Sequence, residues 1–329
     1  MNGTIEKIKS TSITYKEVAY NFFLPIGKLS GNSTTRKEFL KNGNIRIVKT
    51  PYGTMEIRNR LLTENDQKLI NAIFHFGDIR VLEDGNIASY FSETEILKEL
   101  NMGKNYTALR KNIKKIGDTQ YYIPVGKYTR RISIFKEHVI DEQEGSKMQG
   151  VVFDPEYIKI HKSDFSVDYR SIFPKISSIP YATIPSIIKY LLMKNRTSKI
   201  REFHLIKILE DLGFPLDSPS TLREVKHNLK NYSDALERDY NIIYNHSKKT
   251  LIYYGLDEIS YIERMECSIQ DLRSYIGKKI KYEQNTNTIK DITQNNENGD
   301  DWTIITNSQE IHLKCLLDDI LFLLDQTTK

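Results

Sequence analysis

Two cysteines in 329 residues, Cys267 and Cys315, are too few for a disulfide framework, and neither belongs to a Cys-x-x-Cys pair or neighbours paired histidines that would hold zinc. A reducing compartment fits that scarcity. There is no run of 18 apolar residues and no continuous apolar stretch at the N-terminus, so neither a membrane span nor a secretion signal is expected. The expected location is cytoplasmic, with no membrane partner. The phosphate loop G-x-x-x-x-G-K-[ST] is missing too: Gly27-Lys28, Gly126-Lys127 and Gly277-Lys278 all lack the upstream glycine, which argues against an NTPase. The seven histidines form neither His-x-His nor His-Glu-x-x-His, so no ligand set for a metal-dependent nuclease is legible, and no metal or other cofactor is expected. Asp300-Asp301 and Asp318-Asp319 read as an acidic surface and a helix end rather than paired catalytic carboxylates.

Net charge is also small, +5 from 48 Lys+Arg against 43 Asp+Glu, so what matters is where the charge sits. Residues 1–50 hold nine basic residues against three acidic ones, while the stretch from Asp291 onward holds eight acidic residues against Lys314 and Lys329. The densest basic run is 101–136, where Lys104, Arg110, Lys111, Lys114, Lys115, Lys127, Arg130, Arg131 and Lys136 stand against Asp118 alone, a net +8. Phosphate is the partner such a run attracts. A charged helix face by itself is ordinarily just solvated. Here the charge continues from a helix into a hairpin.

That helix is read from Tyr106, Leu109, Ile113 and Ile116, which recur at helical spacing and leave Arg110, Lys111, Lys114 and Lys115 outside the apolar stripe. After Gly117-Asp118 the pattern becomes β-rich over 120–123 and 130–135, with Pro124 and Gly126 as turn formers. Upstream, 1–43 shows no sustained periodicity and reads as a loosely held basic arm, followed by short strands over 44–49 and 54–58. A helix over 61–76 has Thr63 and Asp66 at its start, Leu69, Ile70, Ile73 and Phe74 on its inner face and Gly77 at its end; Ser92 with Glu95 forms a second capping-box pattern. Helix, helix, turn, basic helix and hairpin is the order of a winged helix-turn-helix.

A second succession repeats the first from residue 150: β-rich 150–153, a buried helix over 184–193, a helix placing Phe203 to Leu212 before Gly213, and a third helix opened by Thr221 and Glu224 and running to Asp239. Leu222, Val225, Leu229, Tyr232 and Leu236 form its stripe, with Arg223, Lys226, His227 and Lys230 outside it, and the hairpin that follows carries Lys248 and Lys249 at its tip. Past Leu256 come a helix over 260–275, short strands over 278–282, 289–292, 302–306 and 310–313, and a closing apolar helix, LLDDILFLL. The expected fold is therefore α+β: an arm (1–43), two tandem winged-helix domains (44–149 and 150–256) and a small acidic α+β C-terminal appendage (257–329).

The order IPSIIKYLL, then FHLIKILEDLGF, then STLREVKHNLKNYSDALERDYNIIYN and a hairpin resembles the replication initiators of iteron-type theta-replicating plasmids over about Leu61 to Leu256. Lys189 to Leu192, Leu212-Gly213 and Thr221 to Asp239 occupy the places of that family's YxLL-like run, LG ending and groove-entering helix. The resemblance implies double-stranded DNA with direct repeats as partner, a homodimer through the first winged-helix domain, recruitment of a host helicase or helicase loader, and no enzymatic activity. The basic arm and the acidic appendage depart from the family pattern. A winged-helix transcription regulator and a tyrosine-dependent nicking enzyme are the alternatives. On the DNA reading, Lys104, Arg110, Lys111, Lys114, Lys115, Lys127, Arg130 and Arg131 position the first module, and Thr221, Arg223, Lys226, His227, Lys230, Lys248 and Lys249 serve the second.

Overall fold

The computed structural model describes residues 13–50, 53–125, 127–140, 147–162, 166–167, 176, 178–194, 202–214, 216, 219–253, 272–282, 285–295 and 301–314, with 320, 323–324 and 327 near the C-terminus. In chain order the N-terminal part forms β1 (Ile13–Thr14), α1 (Tyr15–Ala19), β2 (Phe23–Leu24), α2 (Thr34–Lys41), β3 (Ile45–Thr50), β4 (Gly53–Arg58) and β5 (Leu62–Thr63). Next come α3 (Glu64–Phe76), β6 (Asp78–Val81), β7 (Ile87–Ser92), α4 (Glu93–Glu99), α5 (Tyr106–Asp118), β8 (Gln120–Val125), β9 (Tyr128–Ser133), β10 (Phe135–Ile140) and β11 (Met148–Phe153). The chain is mixed α+β with several small sheets.

Two four-stranded antiparallel sheets form, in the orders β3-β4-β8-β9 and β10-β11-β7-β6; the second packs on α3 through β7 and on α5 through β10. Leu69, Ile70, Ile73 and Phe74 of α3 are at most 1% exposed, and the Phe74 ring stacks on Phe153 at 4.6 Å between centroids. Leu109, Ile113 and Ile116 of α5 are fully buried, as the helical spacing requires; sheltering three such side chains is worth roughly 5–9 kcal/mol relative to water. The α3 capping box forms: the Thr63 amide donates to Asp66 Oδ2 at 2.7 Å, and the helix begins at Glu64 rather than at Leu61. The Ser92–Glu95 box does not, since Ser92 caps α4 without a side-chain bond.

The N-terminal segment departs most from expectation. From residue 17 it is not a loose arm: Tyr20, Phe22 and Leu24 are at most 2% exposed, and the Phe22 ring stacks on Tyr121 at 4.0 Å. The Tyr121 hydroxyl donates to the Phe22 carbonyl at 2.9 Å, and Tyr157 donates to Glu17 at 2.6 Å. Pro124 lies inside β8, opposite Thr129, rather than at the turn; Gly126 falls outside the described residues. β11, expected to open the second module, pairs with β7 and β10 and so lies in the middle of the β10-β11-β7-β6 sheet.

The chain continues through α6 (Pro155–Lys162), β12 (Ser166–Val167), α7 (Thr183–Lys194), β13 (Glu202–His204), α8 (Leu205–Asp211), α9 (Pro219–Asn231), α10 (Ser233–Tyr240), β14 (Ile242–Asn245) and β15 (Thr250–Tyr253). Phe203 belongs to strand β13, which pairs with β15, not to the helix that follows. The expected third helix starts two residues early, at Pro219, and is two helices: Tyr232 breaks it, and the Ser233 hydroxyl donates to the Lys230 carbonyl at 2.8 Å. Beyond this, β16 (Lys279–Tyr282), β17 (Asn285–Gln294), β18 (Asp301–Thr306) and β19 (Glu310–Lys314) make an antiparallel meander close to the expected strands. Ile320, Leu323 and Leu324 of the closing apolar stretch are fully buried, while most of the helix expected over 260–275 lies outside the described residues. Among the described residues no helix is long and apolar enough to cross a membrane.

Candidate nucleic-acid interface

The α5 face divides in two. Asn105 caps the helix by accepting from the Ala108 amide at 3.2 Å, and the buried stripe then sets which cations point outward. Lys104, Lys111 and Lys114 are exposed. Arg110 instead donates from Nε and Nη2 to Glu93 at 2.7 and 2.9 Å; Glu93 is fully buried, and its hydrogen bonds raise the Arg110 pKa above the ordinary arginine value. Lys115 reaches Asp66 Oδ2 at 2.5 Å, the same oxygen that caps α3. Those two cations are held by the fold.

The hairpin divides the same way. Arg130 is only 6% exposed and donates from Nε to Glu156 at 2.7 Å, so it faces inward, against the expectation for a phosphate contact. Arg131 is exposed and opposite Tyr122 in register, and the Arg58 guanidinium lies 4.3 Å over the Tyr122 ring. Lys127 is exposed, 5.5 Å from the centre of the Tyr128 ring.

On α9, Val225 and Leu229 are buried, which turns Arg223, His227 and Lys230 to solvent, with Thr221 and Lys226 half-buried at the margin. His227 Nε2 and Asn231 Nδ2 are 2.9 Å apart, which ties two directional groups together one turn apart. In the hairpin after α10, Asn245 Oδ1 accepts from the Ser247 hydroxyl at 2.9 Å and the Lys248 amide at 3.1 Å. Lys249 adopts a left-handed φ of 57°, and both lysines are exposed at the tip.

Sequence reasoning missed a cleft of about 890 Å³ between α2 and α5. It brings Lys111, Lys114 and Lys115 together with Lys28, Arg36 and Arg60. The only sequence signals were the basic count of residues 1–50 and the Ser33 cap of α2, whose hydroxyl accepts from the Arg36 amide at 3.3 Å. Among the described residues no group of three or more His, Cys, Asp or Glu could hold a metal ion. No protein-family model matches the chain, and neither a curated protein nor a solved structure does.

Proposed function

We propose that this chain is a sequence-specific double-stranded DNA-binding protein that initiates plasmid replication at an origin of direct repeats, with α5 and α9 as the groove-facing helices of two winged-helix modules. The observation that carries the reading is α9: a helix anchored by Val225 and Leu229 holds Arg223, His227 and Lys230 outward and is followed by a hairpin tipped with Lys248 and Lys249. Arg, His and Asn present directional donors and acceptors to base edges, whereas lysines on α5 hold phosphates without reading sequence. A homodimer through the first module, recruitment of a host helicase or helicase loader, and a plasmid-associated location in the cytoplasm belong to the same proposal.

The test is a pair of titrations at one salt concentration, with the direct repeats flanking the gene against scrambled duplex. Arg223→Ala should lose about 1–3 kcal/mol on the repeats and much less on scrambled DNA, the value of one bidentate base contact. Lys111→Ala should lower both affinities together. An unchanged ratio for Arg223→Ala removes base reading from that residue, and no duplex binding by the wild-type chain removes the proposal. Maintenance of a plasmid bearing the repeats in cells expressing the chain separates an initiator from a promoter regulator.

A further inference from the structure

We infer that the cleft between α2 and α5 seats one sugar-phosphate strand of the bound duplex, clamped by Lys28 and Arg36 from the N-terminal segment against Lys111 and Lys114 of α5; this rests on the duplex-binding proposal. The cleft's carboxylates are already engaged. Asp66 is held by Lys115 at 2.5 Å, and Asp118 faces Arg60 at 3.7 Å. Among the described residues, Lys28, Arg36, Lys111 and Lys114 have no carboxylate partner, though they line one concavity from two different segments. Four like charges lining one concavity make it electropositive and favour an anion there.

The rest of the lining narrows the anion. Leu29, Leu40 and Met102 line the cleft together with the amides of Asn44, Asn65 and Asn112, and Leu40 is 56% exposed. Apolar patches broken by amides suit deoxyribose and phosphate better than the unbroken apolar seat an acidic amphipathic helix needs. Among the described residues, Phe39 is the only aromatic lining the cleft; it is 7% exposed and offers no platform for an unpaired base. The occupant is therefore a strand whose bases remain paired outside the cleft. α2 thus becomes part of the interface, on the far side of the strand from the groove-facing helix.

Lys28→Ala/Arg36→Ala is the test, because both side chains are exposed and their removal leaves the core intact, which an unchanged melting curve verifies. With each phosphate contact contributing about 0.9 to the slope of log K against log salt, the double variant should lose about 2 units of slope and about 60-fold in affinity at 0.1 M salt, alike for repeat and scrambled duplex. Phosphate-ethylation interference should lose positions on one strand only. Wild-type slope and affinity in this variant, while Arg223→Ala and Lys111→Ala still weaken binding, overturns the clamp and leaves the DNA proposal standing. Retained duplex binding with loss of binding to a labelled poly-glutamate peptide also overturns it and assigns the cleft to an acidic protein. Absence of duplex binding by the wild-type chain overturns both.

Discussion

Removing Lys189 should unbalance the junction between α3 and α7 more than any surface change. Its ammonium ion-pairs with Glu64 and donates to Gln67 Oε1 at 2.7 Å, while Ser186 donates to the other Glu64 oxygen at 2.8 Å. Glu64 is 1% exposed and Lys189 2%, so Lys189→Ala leaves a buried carboxylate with a single hydroxyl donor. Breaking one side of a buried pair costs about 3–5 kcal/mol. The change also takes a positive neighbour away from Lys68, whose pKa is pushed down mainly by burial, and that relief is the smaller effect. At about 2.1 cal/mol/K per residue, 329 residues give an unfolding entropy of about 0.7 kcal/mol/K, so the melting temperature should drop by about 4–7 °C. The assay is thermal melts and urea titration of Lys189→Ala, together with a double-mutant cycle of Lys189→Met, Glu64→Gln and the double variant. Glu64→Gln/Lys189→Met should recover most of the loss, because it removes both charges and keeps an acceptor for Ser186. A melting temperature within about 1 °C of wild type for Lys189→Ala, or a double variant no better than the worse single one, refutes the reasoning.

Leu229→Ala should cost about 2–5 kcal/mol, since the side chain is fully buried under α9, and it should lower the melting temperature before it alters DNA preference. Burial pushes the Glu156 carboxyl up, but the hydrogen bond from Lys159 and the charge and hydrogen bond of Arg130 outweigh it and hold its pKa below 4.5. A depressed folded value stabilises the protein above the unfolded pKa and is lost as pH falls through the folded one, so Glu156→Gln should flatten the stability loss below about pH 4.5 in a urea-melt pH series. Arg110→Ala should lower the melting temperature, because Glu93 then lies buried without its guanidinium, yet leave the salt slope of DNA binding unchanged; Lys111→Ala should do the reverse, removing about one unit of slope.

Much of the fold was legible wherever the controlling contacts are local. The Thr63–Asp66 box lies within four residues, and the α5 stripe of Leu109, Ile113 and Ile116 lies within one helix; both are found where the spacing puts them. The strands of the C-terminal meander are bounded by turn-rich intervals and paired with sequence neighbours. Elements held by distant partners were misread. Residues 20–25 are all buried, Asn21 and Phe23 as well as Tyr20, Phe22 and Leu24, with Asn21 at a left-handed φ of 50° and β2 paired in parallel with β5, so the burial follows neither a period of 2 nor one of 3.6. Phe203 looks helical in sequence but pairs as a strand residue with Leu251 of β15. The break at Tyr232 has neither glycine nor proline to announce it.

The same distinction explains why a charge count marks the right region and the wrong residues. The net +8 of residues 101–136 treats each cation as available to phosphate, yet Arg110, Lys115 and Arg130 pair with Glu93, Asp66 and Glu156, all outside that window. Glu93 and Asp66 are nearly inaccessible, so extracting Arg110 or Lys115 toward a ligand would leave a buried carboxylate unpaired, a larger loss than one phosphate contact returns. These cations instead fix α5 against α3 and α4. Among the described residues, exposed cations around α5 are Lys104, Lys111, Lys114, Lys127 and Arg131, together with Lys28 and Arg36, which come from the segment expected to be a loosely held basic arm. A cationic surface in this fold is assembled across chain segments, and burial decides which of its charges face outward.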